Sequence, residues 1–346
     1  MSEQTVIRIP GERNSLKNFK AFKEAIPKPA KHEVLIKVYS ISLNYRDVGV
    51  ALSLYPFPTK DNVVPCSDAA GVVVEVGEGV KSVAKDDHVI STFDPTNLYG
   101  QQMNWDNGHG APVDGVLREY ITVAAAAVVK VCKDSPQSFS EWSTLVCTGV
   151  TAWNALYGLT PLKPGQIVLF QGTGGVSITG LILAKAAGAI TIITSSSDEK
   201  LKYVQEKFGA DYTINYKTHP AWSKEVLRQT NGEGVDYVFE NGGSGTIAES
   251  INSVKMGGNV SVIGFLSQAK EMPDVAGMAL AKGAVVRGVV VGSTQLLQEV
   301  VRFVSRKGLR LPVEKEFGFS EEGVVEAFEY LTSGSHIGKV CIQLVE

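Results

Sequence analysis

Apolar and polar residues alternate along this chain in two different rhythms. Through roughly the first 130 residues the apolar positions fall in short strand-like runs. These are Glu33-Val-Leu-Ile-Lys-Val-Tyr-Ser-Ile41, Ala70-Gly-Val-Val-Val-Glu-Val76, Asp87-His-Val-Ile90 and Glu119-Tyr-Ile-Thr-Val123, punctuated by proline and glycine. From Ser140 the rhythm changes, and Trp142, Leu145, Val146, Gly149, Trp153 and Leu156 recur at helical spacing. Strand signals follow at Ile167–Gln171, Ala189–Thr194, Tyr212–Asn215, Val235–Glu240, Asn259–Gly264 and Val285–Val291. Between them lie helix signals: Val176 to Gly188, with Ile178, Leu181, Ile182 and Ala186, and Asp198–Phe208, with Leu201, Val204 and Phe208. Such alternation predicts an α/β fold, a parallel sheet covered by helices on both faces. After Gly292 come two amphipathic helices, one carrying Leu296, Val300, Phe303 and Val304, the other Val324, Phe328 and Leu331, then a last strand, Lys339–Val345.

The junction of the first parallel strand and its helix reads Gln171-Gly-Thr-Gly-Gly-Val-Ser177. A glycine turn there lets backbone N–H groups approach a pyrophosphate at the positive end of a helix, which implies a dinucleotide held by Gly172, Thr173, Gly174, Gly175 and Val176. The spacing departs from G-x-G-x-x-G, because Ser177 stands at the third glycine position. The next strand ends about 20 residues after the first glycine, where a ribose-binding group is expected. An NAD site would place a carboxylate there, whereas this chain has Ser195, Ser196, Ser197 and then Lys200. Hydroxyls and an ammonium suit a 2′-phosphate, so the expected cofactor is NADPH. Ser197 also fits as the N-cap of the helix Asp198–Phe208, which leaves Ser195 and Ser196 for the cofactor.

Composition narrows the class. The length of 346 residues predicts two domains, and a hydrophobic content of 44% is that of an ordinary globular enzyme. A net charge of −3 argues against a phosphate-neutralising nucleic-acid surface. No apolar stretch of membrane-spanning length and no signal peptide are expected. Cys66, Cys132, Cys147 and Cys341 lie far apart with no C-x-x-C pair, so they read as reduced thiols of a cytoplasmic protein. The stretch Asp94–Gly115, with Trp105 and His109, is long, polar and irregular, and reads as a substrate-side loop. Pro56, Phe57 and Pro58 suggest a rigid apolar rim.

Several further segments carry a resemblance along nearly the whole chain. They are Leu43-Asn-Tyr-Arg-Asp47, Pro65-x-x-Asp-Ala-Ala-Gly71, Val74-Glu-Val-Gly77, Asp87-His-Val89, Gly115-x-x-x-Glu-Tyr120 and Thr151-Ala-Trp153. Gly209-Ala-Asp211, Ile214-Asn-Tyr216 and Gly338-Lys-Val340 continue the series. Together they resemble the medium-chain dehydrogenase/reductase superfamily, most closely its zinc-independent quinone oxidoreductase-like branch and fungal alcohol dehydrogenase-like proteins. The resemblance implies a mostly-β GroES-like substrate domain, residues 1–130 and 291–346, split around a doubly wound Rossmann domain, residues 131–290, with the active cleft between them. It places Thr151, Asn241, Gly242, Gly264, Phe265, Val289 and Val291 around the nicotinamide and its ribose, Tyr216 near the adenosine, and Lys339 near a phosphate. It also implies a homodimer, joined along the Val285–Val291 edge.

Zinc-dependent relatives hold the metal with Cys, His and Cys, and by motif alignment these positions are Asn44, Ser67 and Cys147 here. One thiol with an amide and a hydroxyl makes a poor Zn²⁺ site, and Asp94–Gly115 lacks the cysteines of a structural zinc loop, so no metal is expected. Without a metal to stabilise an alkoxide, reduction of an activated double bond or quinone is favoured, with Tyr45 and Asn44 as the groups donating to the substrate oxygen. Two other readings stay open at this point. One is a zinc-free NADP-dependent alcohol or aldehyde dehydrogenase of secondary metabolism. The other is a catalytically silent nucleotide-binding sensor or interaction protein. The small-molecule substrate itself is not legible in these residues.

Overall fold

Strands β1 (Glu3–Arg8) and β2 (Lys20–Ala25) form an antiparallel ribbon at the start of the chain. The fold is that of a computed structural model, which describes residues 2–344. Next come β3 (Glu33–Ser42), helix α1 (Tyr45–Ala51), β4 (Asp68–Val76), β5 (His88–Ile90), β6 (Tyr120–Ala124) and β7 (Val129–Lys130). Helix α2 (Phe139–Ser143) starts at Ser138, whose Oγ accepts from the Glu141 N–H at 3.2 Å while Glu141 returns a bond to the Ser138 N–H at 3.0 Å. A single π-helical turn, Leu145–Gly149, follows.

The chain divides into two units, Met1–Val150 with Val291–Glu346, and Thr151–Val290. The chain passes from one unit to the other after Val150 and back at Val291, against expected boundaries after residue 130 and at residue 291. The reason is packing: α2 lies on β3 and β4, and the π turn lies on β4, so this helical stretch belongs to the first sheet.

The second unit opens with α3 (Val150–Tyr157) and then alternates: β8 (Ile167–Gln171), α4 (Gly175–Ala186), β9 (Ile190–Ser195), α5 (Asp198–Phe208), β10 (Tyr212–Asn215) and α6 (Trp222–Gln229). It continues with β11 (Val235–Glu240), α7 (Ile247–Ser253), β12 (Val254–Val262), α8 (Val275–Lys282) and β13 (Val285–Gly288). All six strands are parallel, in the order β10-β9-β8-β11-β12-β13. That order reverses direction beside β8, the switch point at which doubly wound sheets bind ligands. Leu169, Ile192, Val238 and Val260 are fully buried between the helix layers, which explains why these strands read as continuous apolar runs. The expected strands 259–264 and 285–291 are displaced: β12 begins earlier, at Val254, and β13 ends at Gly288.

The chain then returns to the first unit as α9 (Thr294–Lys307), β14 (Val313–Gly318), α10 (Glu321–Thr332) and β15 (Lys339–Gln343). Residue Val345 of the expected last strand lies outside the described residues. β15 pairs antiparallel with β3 and parallel with β14, completing a seven-stranded sheet in the order β14-β15-β3-β4-β5-β7 with β6 on β3. Val38, Ile41, Val73, Phe328 and Ile342 are buried in its core.

Candidate functional site

β8 runs directly into the glycine turn. Gly172 has φ 73°, which an L side chain rarely adopts, and a Cβ on Gly172 or Gly174 would meet nothing within 4 Å. The backbone there is exposed to an approaching ligand. Gly174 caps α4, whose first-turn N–H groups have no intrahelical acceptor and lie at the positive end of a twelve-residue helix. Such a cradle fits a pyrophosphate.

Two residues divide the work of the missing third glycine. The Ser177 hydroxyl donates to Gln171 O at 2.6 Å and accepts from Asn241 Nδ2 at 2.9 Å, so it braces the turn. Gly180 supplies the close helix–strand approach: a Cβ there would lie 2.7 Å from Phe170 Cε1 and 2.8 Å from Phe239 Cε1.

Glu240, at the C-terminal end of β11, is fully buried. Its Oε1 accepts from the N–H groups of Gly242 (2.7 Å) and Gly243 (2.8 Å) and from Thr246 Oγ1 (2.5 Å). Its Oε2 accepts from Gln171 Nε2 at 2.8 Å and from the Ser250 hydroxyl. Gln171 Oε1 in turn accepts from the Asn241 N–H at 2.9 Å, and Asn241 Nδ2 donates to Gln171 O at 3.0 Å. The expected cofactor residues Asn241 and Gly242 are thus welded to the glycine turn. Sequence reasoning missed Glu240 and Gln171 as organisers of this site. The available signal was a carboxylate closing an otherwise buried strand, directly before Asn-Gly-Gly.

At the end of β9, Ser195 is buried and its Oγ accepts from the Ser197 N–H at 3.3 Å. Ser197 caps α5 by accepting from the Lys200 N–H at 3.3 Å, so its capping role is real and Ser196 and Lys200 lie beside that cap. The Tyr216 N–H donates to Ser195 O at 3.0 Å, and its ring is 41% exposed next to the same strand end. Thr151 is buried on α3. Gly264 packs against the Asn241 carbonyl, Phe265 is exposed after β12, and the Val289 N–H donates to Val262 O at 2.9 Å. Val291 adopts a left-handed φ of 45°, rare for a β-branched residue.

In the first unit a buried polar cluster gathers around Asn44. Asn44 occupies the N-cap position of α1 with extended backbone, and its N–H donates to Asp47 Oδ2 at 2.8 Å. Its side-chain Oδ1 accepts from Lys339 Nζ at 2.7 Å. Lys339 also donates to Leu43 O and is only 3% exposed. An ammonium so committed is not offered to a phosphate, which corrects the expectation for Lys339. Asp68 Oδ1 accepts from Ser67 Oγ at 2.6 Å, and Asp68 Oδ2 from the Cys147 N–H at 3.2 Å, an amide aimed by the π turn. Burial pushes the carboxyls of Asp68 and Asp47 up, that of Asp47 to about 6 despite Arg46 beside it. Burial likewise pushes the Cys147 thiol up to about 12, and Cys66 is raised well above the ordinary thiol range. Tyr45, first residue of α1, is 55% exposed.

These donors do not fit Zn²⁺. The amide oxygen of Asn44 already holds an ammonium and the Ser67 hydroxyl donates to Asp68, which leaves Cys147 as the one ordinary Zn²⁺ donor of the three positions. Among the described residues no three His, Cys, Asp or Glu side chains are grouped as a metal would require.

The expected substrate-side loop is well anchored in the same unit. Asp94 Oδ1 accepts from Thr96 N at 2.8 Å and Thr96 Oγ1 at 2.7 Å, and Arg46 Nη1 donates to His109 O at 2.7 Å. Trp105 stacks on Phe57 at 3.9 Å, and Phe57 meets Tyr55 edge-on at 5.3 Å, so the apolar rim and the loop form one aromatic wall.

Comparison with known proteins bears on both units. The family model for the alcohol dehydrogenase GroES-like domain matches residues 30–133, and that for zinc-binding dehydrogenases matches residues 175–306. A zinc-type alcohol dehydrogenase-like protein of Schizosaccharomyces pombe is 40% identical over 319 residues, covering 90% of this chain and 91% of that one. An acryloyl-coenzyme A reductase of Sulfurisphaera tokodaii is 27% identical over 347 residues, covering 97% and 99%. A solved structure from Sinorhizobium meliloti 1021, described as a candidate alcohol dehydrogenase, superposes with a TM-score of 0.91 at 34% identity, covering 99% of this chain and 100% of that one.

Proposed function

The chain belongs to the medium-chain dehydrogenase/reductase superfamily, and from that premise we propose that it transfers hydride from NADPH, without zinc, to a quinone, an α,β-unsaturated ketone or a related activated carbonyl acceptor. It is an NAD(P)-dependent oxidoreductase acting on a small molecule. The observation that carries the finer reading is the ammonium of Lys339 bonded to Asn44, where a metal ligand would otherwise stand.

When bound, the reduced nicotinamide supplies the hydride. The turn Gly172, Thr173, Gly174, Gly175 and Val176 would hold its pyrophosphate, and Ser195, Ser196 and Lys200 a 2′-phosphate. Tyr216 would flank the adenosine. Thr151, Asn241, Gly242, Gly264, Phe265, Val289 and Val291 would border the nicotinamide end. Hydride addition to the β-carbon of an enone moves the π electrons onto the carbonyl oxygen. Asn44 Nδ2 and the Tyr45 hydroxyl would donate to that oxygen, and Tyr45 or water would return the proton.

A second reading, NADP-dependent alcohol or aldehyde dehydrogenation, is supported by the names of the fungal relative, a zinc-type alcohol dehydrogenase-like protein, and of the Sinorhizobium structure. A homodimer through β13 fits its place at the sheet edge with Val285 39% exposed. A cytoplasmic location fits four cysteines without a disulfide, and no helix among the described residues is long and apolar enough to cross a membrane.

The test joins turnover to metal analysis of the purified protein. The reading expects NADPH oxidation with quinones or enones and zinc far below one per chain. Stoichiometric zinc, or turnover confined to alcohols with NADP⁺, would overturn it.

A further inference from the structure

We propose that Lys339 is a positioning residue that fixes the orientation of the Asn44 amide, so that Nδ2 is the atom presented to the acceptor oxygen. The proposal rests on the reading of Asn44 as a donor to that oxygen.

The lysine has little freedom to do anything else. Its backbone N–H donates to Pro312 O at 2.7 Å, and one residue on, the Leu43 N–H donates to Val340 O at 2.9 Å. Gly338 has φ 89°, and a Cβ on it would lie 2.3 Å from Pro312 O, so the chain enters β15 along one path. The side chain is 3% exposed, and its ammonium is spent on Leu43 O and Asn44 Oδ1. An ammonium taken out of water is tolerated only with such acceptors and with opposite charge nearby, here Asp68 and Asp47.

The amide group is planar, so holding Oδ1 on the ammonium decides where Nδ2 goes. A flipped amide would set two donors against each other. In the observed orientation Nδ2 is buried and makes no formed hydrogen bond, whereas Asn44 itself is only 7% exposed. Asn44 acts on Asp68 as a hydrogen-bond donor and favours its charged form, although the contact falls short of a fully formed bond. An orphaned buried donor is costly to keep and is what an oxyanion would satisfy. Lys339 thus supplies a fixed positive charge behind the amide, which strengthens its N–H groups as donors.

The experiment is a double-mutant cycle with NADPH and 9,10-phenanthrenequinone as the probe acceptor, using Asn44→Ala, Lys339→Met, the double variant and Lys339→Arg. We expect Lys339→Met to lower kcat about tenfold or more with KM for NADPH unchanged, the double variant to be no slower than Asn44→Ala, and Lys339→Arg to recover part of the loss. A raised KM for NADPH at unchanged kcat, or losses that simply add, would overturn the proposal. If Lys339→Met does not fold, Lys339→Arg carries the same test, with a fall in kcat at constant KM expected. Wild-type activity in Asn44→Ala would instead defeat the functional reading of Asn44. If the probe is not turned over, crystal structures of the wild type and the folded Lys339 variant decide: a reoriented Asn44 side chain supports the proposal, and an unmoved one refutes it.

Discussion

Replacing Glu240 with glutamine should cost far more than one buried side chain of equal size suggests. The two carboxylate oxygens accept five hydrogen bonds, from Gly242 N, Gly243 N, Thr246 Oγ1, Gln171 Nε2 and Ser250 Oγ. Glutamine keeps one acceptor oxygen, and three bonds at the Oε1 position survive without charge assistance. At the other position an NH₂ group now faces Ser250 and Gln171. The Ser250 oxygen, which already accepts from Gln171 Nε2 at 2.7 Å, can also accept from the new amide, but its own proton then has no carboxylate to meet. Gln171 cannot flip, because its Oε1 already accepts from Asn241 N at 2.9 Å and Gly242 N at 3.2 Å. A buried donor left unsatisfied costs about 1–3 kcal/mol, and charged acceptors are roughly twice as strong as neutral ones, so we expect a loss of about 2–4 kcal/mol. In a chain of this size that is a fall in Tm of about 3–6 °C. KM for NADPH should rise as well, because the same bonds hold Asn241 and Gly242 against the glycine turn. The assay is thermal and denaturant unfolding beside Glu206→Gln, an exposed α5 carboxylate paired with Lys202 at 3.9 Å. A loss below about 0.5 kcal/mol, equal to that surface control, would refute the network argument.

Gly180→Ala should destabilise by about 1–3 kcal/mol, because the new methyl meets Phe170 and Phe239 at 2.7 and 2.8 Å and α4 must lift from β8; an unchanged unfolding midpoint would show that Gly180 is not the packing glycine. The Asp47 carboxyl, held at about 6 in the fold against an ordinary value of 3.8, binds its proton more tightly folded than unfolded. It therefore favours folding below about pH 4, and that contribution fades as pH rises through 6, so between pH 5 and 7.5 the wild type should lose about 1 kcal/mol relative to Asp47→Asn. Parallel stability–pH curves for the two proteins would contradict this.

What was legible in advance follows from the range of the forces involved. Strands buried on both faces, such as Val235–Glu240 and Ile167–Gln171, announce themselves as apolar runs and were located to the residue. The helix Asp198–Phe208 was bounded by its own cap and periodicity. By contrast β2 and β14 are mostly exposed and polar, so no alternation marks them. Helix α8 is apolar in sequence yet has no buried residue, the reverse of what its pattern suggests. At the site, the glycine turn was visible because its constraint is local. The bond from Lys339 to Asn44 joins residues 295 positions apart and depends on the pairing of β15 with β3, which no local pattern encodes. Transfer of the third glycine's packing role from Ser177 to Gly180 was hidden for the same reason: it depends on two phenylalanine rings from β8 and β11.

The most direct test of the central claim is a fluorescence titration of the protein with NADPH and with NADH, repeated on Lys200→Ala. The account predicts tighter binding of NADPH by the wild type and a preference that falls about tenfold or more in the variant, with NADH nearly unaffected. Equal losses for both nucleotides, tighter binding of NADH, or no binding of either would contradict it.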